Sequence, residues 1–105
     1  RWIGQAAKTA GRIIVDAGAS RALLERGKSL LPSGIRSVKG NFAKGATVGV
    51  FDDHGNEIAR GLTNYSSEQL VKIQGRRTSQ IAKILGDKPY DEAIHRNNMT
   101  LSSAS

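Results

Sequence analysis

The sequence predicts a mixed α/β domain, mainly β, with short helices outside its strands. Three patterns carry that prediction. Residues 11–16, GRIIVD, form an apolar run long enough for a strand and too short for a helix. Residues 46–51 alternate apolar and small or polar side chains with the period of two that gives a strand one buried face. The apolar positions at helical spacing occur only in brief stretches that end at glycine. With 105 residues and no internal repeat, the chain has room for one domain. A chain of this length buries about two thirds of its unfolded surface, enough for a small barrel or a pair of layers.

The first strand ends at Asp16, whose carboxylate can cap a helix over ASRALLERG by accepting from the free amides of its first turn. Ala19, Ala22 and Leu23 form that helix's inward face, with the Arg26 stem along its edge. Arg21, Glu25 and Lys28 fall on the other face, and Gly27 fits the left-handed position that closes the helix. Pro32, Ser33 and Gly34 mark a turn before a second strand from Ile35 to Lys39. Ala46, Val48 and Val50 line the buried side of a third strand, and DDHGNE turns the chain around His54 and Gly55 into a fourth, EIARGLTNY. On that returning strand Ala59, Gly61 and Thr63 make a small-residue face that another element can approach closely.

Ser66 and Gln69 have the spacing of a capping box, opening a helix whose apolar face is Leu70, Val71 and Ile73 and which stops at Gly75. A further helix is expected with Thr78 as cap, Ile81, Ile84 and Leu85 as apolar face, and Gly86 as stop. A last strand is expected around Ile94, Met99 and Leu101, and the final residues are expected to fray.

Charge is placed unevenly. The net charge is +7, yet residues 1–45 hold nine basic and two acidic side chains while residues 46–105 hold seven of each. A one-sided basic excess suits a polyanion, whose phosphates release condensed counterions when contacted. It equally suits a solvated face beside an acidic domain, and composition does not separate the two. The clearest site signal is the basic set Arg21, Arg26, Lys28, Arg36, Lys39 and Lys44, which brackets the first helix, the following loop and the second strand. There, Lys and Arg would grip phosphate while the backbone of residues 28–34 packs against sugar or base. Phe42 is the one aromatic nearby, too little for a stacking platform.

Signatures of catalysis fail on spacing. GNFAKGAT at 40–47 imitates a phosphate-binding loop, but Lys44 precedes the second glycine instead of following it. A calcium loop over Asp52 to Glu57 would need glycine where Glu57 stands. His54 and His95 lack a second ligand at helical spacing and are read as structural, and Asp91 with Glu92 is read as a solvated pair. No cysteine is present, which excludes disulfide scaffolds and thiolate chemistry, and no segment has the apolar length of a membrane span.

In this order of elements the chain resembles a PUA domain. The segments RWI at 1–3, IVDAGASRALLERGKSLLPSGI at 14–35, GNF at 40–42, EIARGLTNYSS at 57–67 and IHRNN at 94–98 resemble the C-terminal PUA domains of bacterial glutamate 5-kinases. The resemblance implies a mainly antiparallel pseudo-barrel of about five or six strands with short peripheral helices. It implies a PUA domain over residues 11–102, a linker remnant from an absent N-terminal kinase domain over 1–10, and a frayed tail over 103–105. That kinase domain would bind ATP, magnesium and glutamate and make glutamyl 5-phosphate, the first step of proline synthesis, in the cytoplasm. This chain itself would carry no cofactor and no catalytic residue. In RNA-modifying members the surface that meets RNA comprises the first helix, the next loop and the adjacent strand, where Arg21, Arg26, Lys28, Arg36 and Lys39 fall. The implied partners are structured RNA, the kinase domain of the same protein and further copies of the parent, with no membrane. The alternative function is a regulatory or oligomerisation module whose basic face docks on protein.

Overall fold

A computed structural model describes residues 8–102. The RWI motif, most of the expected linker and the tail over 103–105 lie outside the described residues. Strand β1, Gly11–Val15, buries Ile13 and Val15 completely and exposes Arg12, as its alternation dictates. Asp16 follows in extended conformation, and its carboxylate accepts from the Ala19 N–H at 2.7 Å, opening α1, Ala17–Arg26. Gly27 ends α1 at φ 61°, a conformation strained for any residue with a Cβ. Lys28 N–H then donates to the Ala22 carbonyl at 3.1 Å, so the end of the helix sets where Lys28 begins.

A 3-10 turn over Pro32–Gly34 leads into β2, Ile35–Lys39, antiparallel to β1. Strand β3, Thr47–Phe51, lies parallel to β1 on its other side, with α1, the turn and β2 forming the crossover. Strand β4, Glu57–Leu62, returns antiparallel to β3, and β5, Met99–Leu101, pairs antiparallel with β4. The sheet order is β2-β1-β3-β4-β5. Ahead of its two edge strands, Leu30 and Ile94 form an antiparallel bridge, with Leu30 N–H donating to the Ile94 carbonyl at 2.9 Å and Ala93 N–H to the Leu30 carbonyl at 2.7 Å. This bridge joins the two edges and gives the five-strand sheet its pseudo-barrel character. Helices α2, Ser67–Ile73, and α3, Ile81–Leu85, pack outside it, and α2 leans on β2 and the 3-10 turn.

The core includes Ile13, Val15, Leu23, Leu30, Val48, Val50, Leu70, Ile73, Ile81 and Ile94 together with the fully buried Tyr65. The small-residue face of β4 is part of it. A Cβ on Gly61 would stand 2.7 Å from Ile94 Cγ2 and 2.8 Å from the Asn98 carbonyl, so the close approach expected there is made by the segment entering β5.

Several details depart from the sequence reading. Val71 is 52% exposed, because the contact with β2 turns the Leu70 and Ile73 side of α2 inward. Thr78 does not cap α3. It starts a 3-10 turn, Thr78–Gln80, with Arg77 N–H donating to the Gln80 side-chain oxygen at 3.1 Å. Strand β4 ends at Leu62, since the Thr63 hydroxyl bonds to the backbone of Tyr65 and bends the chain away. Ile94 precedes β5 as a bridge residue and is not part of the strand. Arg26 is exposed at the last position of α1.

Candidate nucleic-acid interface

Between α1 and the loop that follows it lies a groove of about 610 Å³. Its floor is the small-residue side of α1, where Gly18, Ala19 and Ala22 recur at helical spacing. One wall is the loop over residues 28–34, which contributes Lys28, Ser29, Leu30, Leu31, Ser33 and Gly34. Gly34 meets Ala19 so closely that a Cβ on it would lie 2.5 Å from the Ala19 Cβ, which sets the separation of floor and wall. The opposite wall is Glu92 and Arg96. They arrive there through the Leu30–Ile94 bridge, reinforced by the Arg96 N–H donating to Ser29 Oγ at 2.8 Å. His95 Nδ1 accepts from the Asn97 N–H at 3.1 Å, shaping the 3-10 turn Arg96–Asn98.

Tyr65 holds the segment that carries Glu92. Its hydroxyl donates to the Tyr90 carbonyl and accepts from the Tyr90 N–H at 3.2 Å, while the two rings meet edge to face at 6.1 Å. Burial pushes the Tyr65 phenol above its ordinary pKa, against the opposing effect of the backbone bond to Tyr90. Asn64 adds a side-chain bond to the Glu92 carbonyl at 3.0 Å.

Two cations and two carboxylates line the groove. Lys28 and Arg96 are exposed and take part in no ion pair among the described residues. Asp16 has one oxygen engaged in capping α1, and Glu92 is half-buried. Glu92 is therefore part of a concave site and not of a solvated pair, whereas Asp91 turns outward to Lys88 at 2.9 Å. Cations at the edge of a concave surface can hold the phosphates of a nucleic acid that lies across it.

Of the sequence candidates, Lys28 lines the groove. Arg21 and Arg26 are exposed on α1 and are not among the residues that line the groove. Arg36 and Lys39 are exposed on β2, an edge strand that runs away from the groove. Lys44 lies 5.7 Å over the Tyr90 ring, apart from the others. Phe42 is buried, its N–H bonded to Ser67 Oγ at 3.0 Å. Arg96 and Glu92 escaped the sequence reading. Arg96 lies 67 residues from Ser29 in sequence, and no local pattern reports a contact of that range.

A five-stranded mixed sheet whose edges are joined by a bridge, with short helices outside it, makes the chain a small pseudo-barrel domain. The chain belongs to the PUA domain family, whose model matches residues 11–85. It is 55% identical over 102 residues to the glutamate 5-kinase of Dictyoglomus turgidum, covering 97% of this chain and 28% of that protein. It is 50% identical over 99 residues to the glutamate 5-kinase of Moorella thermoacetica, covering 94% of this chain and 26% of that one. The chain thus spans little more than a quarter of the length of these relatives. Among solved structures it resembles a PUA domain from Aeropyrum pernix crystallised as a tartrate complex, with a TM-score of 0.61, 24% identity and coverage of 83% of this chain and 41% of that one. It also resembles a chain of the archaeal box H/ACA sRNP Nop10-Cbf5 complex, with a TM-score of 0.57, 15% identity and coverage of 88% and 23%.

Proposed function

We propose that this chain is the non-catalytic PUA domain of a glutamate 5-kinase and that its groove and basic rim form an RNA-binding surface. The parent enzyme phosphorylates L-glutamate with ATP and magnesium in cytoplasmic proline biosynthesis, and its chemistry belongs to a kinase domain outside this chain. The identity of 55% to a glutamate 5-kinase supports the parentage. The RNA reading is carried by one observation: Lys28 and Arg96 line the groove, are exposed and take part in no ion pair among the described residues. Arg21 and Arg26 add exposed positive charge on α1, and Arg36 and Lys39 continue it along β2, away from the groove. Membership of a neighbouring fold in an sRNP complex is consistent with the same use.

Charge reversal at Arg21 and Lys28 is expected to weaken binding of a structured RNA and flatten its salt dependence, measured by anisotropy across a salt series. Unchanged affinity and slope would overturn the site. A second reading, a module that regulates or assembles the kinase, is favoured by Leu24 on α1 and Leu31 beside the groove, which are 46% and 43% exposed. In that case deletion of the domain alters feedback by proline or subunit assembly while glutamate phosphorylation persists. Unaltered regulation and assembly would count against it.

A further inference from the structure

The outer face of the sheet carries charge that the groove does not use. In the antiparallel register Arg12 on β1 lies directly opposite Lys39 on β2. Their side chains therefore stand on one face, with Cβ atoms about 5 Å apart. Both are exposed, and neither is in an ion pair among the described residues. Like charges directly opposite destabilise a strand pair, so this placement does not serve the fold.

Arg12 is also held in position. Its guanidinium lies 4.9 Å over the ring of Phe51 on β3. The ring has room to lean there because its neighbour on that face is Gly49, where a Cβ would stand 2.9 Å from the Phe51 Cε1. Stacking occupies one face of the guanidinium and leaves the N–H donors along its edge for a ligand. The cation in the same row on β4, Arg60, is turned to Glu57 at 2.8 Å.

A planar fork beside an ammonium matches the paired oxygens of a phosphodiester. Residues 26–51 contain no Asp or Glu, so β2 and both loops around it form an acid-free track on which Lys28, Arg36 and Lys39 follow one another. Arg12 stands about 13 Å along β1 from Asp16 at the groove. A repeating anion suits such a line of separated cations better than an isolated carboxylate does.

We infer that Arg12 and Lys39, with Phe51 orienting the guanidinium, form a second phosphate clamp for single-stranded RNA that leaves the groove along the β2 edge. The class of ligand rests on the nucleic-acid reading of the groove, while the clamp's geometry is independent of it. The test uses the 105-residue chain and a labelled oligouridylate of about eight nucleotides, in a salt series beginning at about 50 mM. Wild type is compared with Arg12→Ala/Lys39→Ala, with Lys28→Ala/Arg96→Ala and with Arg12→Lys. The clamp variant is expected to lose about tenfold in affinity at the lowest salt and about 1.4 from the log–log slope, 0.7 for each single-strand phosphate contact. Arg12→Lys keeps the charge and loses the fork and the stack, so its affinity should fall about threefold with the slope unchanged.

A clamp variant that binds like wild type, beside a weakened groove variant, overturns the clamp and leaves the groove reading standing. The converse pattern keeps the clamp and removes the groove. Wild-type chain that fails to bind the oligonucleotide, or binds polyglutamate equally well, overturns the clamp, and the groove reading is then decided by its own test with structured RNA.

Discussion

Tyr65 is a single side chain on which the groove's outer wall depends. Its ring fills the core while its hydroxyl satisfies both backbone groups of Tyr90, holding the segment that brings Glu92 into place. Tyr65→Phe is expected to cost about 1 to 2 kcal/mol near neutral pH, since the partners at Tyr90 lose their bond inside the fold. The phenol ionises near 10 when unfolded and above that when folded, because burial penalises the charged form. Its contribution is thus fully present below about pH 10 and is lost as pH rises through the higher folded value. Urea midpoints of wild type and Tyr65→Phe should converge as pH passes 10, and parallel profiles would refute the assignment. Asp52 behaves in the opposite sense. Backbone N–H groups of Asn56 and His54 bond its carboxylate and hold it below the usual range, so what it adds to the hairpin turn is lost in acid.

Elements whose ends are written in adjacent residues were legible in the sequence. Asp16 and Gly27 bound α1 because a cap and a left-handed stop act within one turn. The reciprocal bonds of Ser66 and Gln69 open α2 for the same reason, at 3.2 Å and 3.0 Å. Ser66→Ala should lower stability by about 1 kcal/mol, or roughly 4–8 °C in melting temperature for a domain this small. Calorimetry tests this, and Ser66→Thr should restore most of the loss because its hydroxyl can make the same bond. Less legible was which side of a short helix faces inward. Val71 and Leu70 are adjacent and equally apolar, and only the approach of β2 decides between them. The parallel pairing of β1 with β3 likewise has no local signature, since it skips the intervening β2. For the site, the contribution of α1 and its loop was readable and that of Glu92 and Arg96 was not. The first is a contiguous run, and the second is delivered by a bridge between loops far apart in sequence.

For the molecule as a whole, the Leu30–Ile94 bridge unites stability with the site. It closes the sheet, buries both of its residues and positions the Arg96 wall. Ile94→Ala should therefore cost about 2–5 kcal/mol. Leu101→Ala, on the edge strand and 43% exposed, should stay within about 0.5 kcal/mol. Equal losses in denaturant melts would show that closure lies along β5 and not at the bridge. The charge asymmetry acts at this scale too: its excess is concentrated on α1, its loop and the β1–β2 side of the sheet, and β4 holds its own Arg60 and Glu57 in a pair.

The same bridge has a consequence for biosynthesis. A ribosome delivers α1 and its loop early, but Glu92 and Arg96 belong to the last part of this domain to be translated. Until they emerge, the floor of the groove faces solvent without its second wall. A nascent or prematurely terminated chain therefore has the basic charge and lacks the two-walled shape, which is complete only when synthesis of the domain is all but finished.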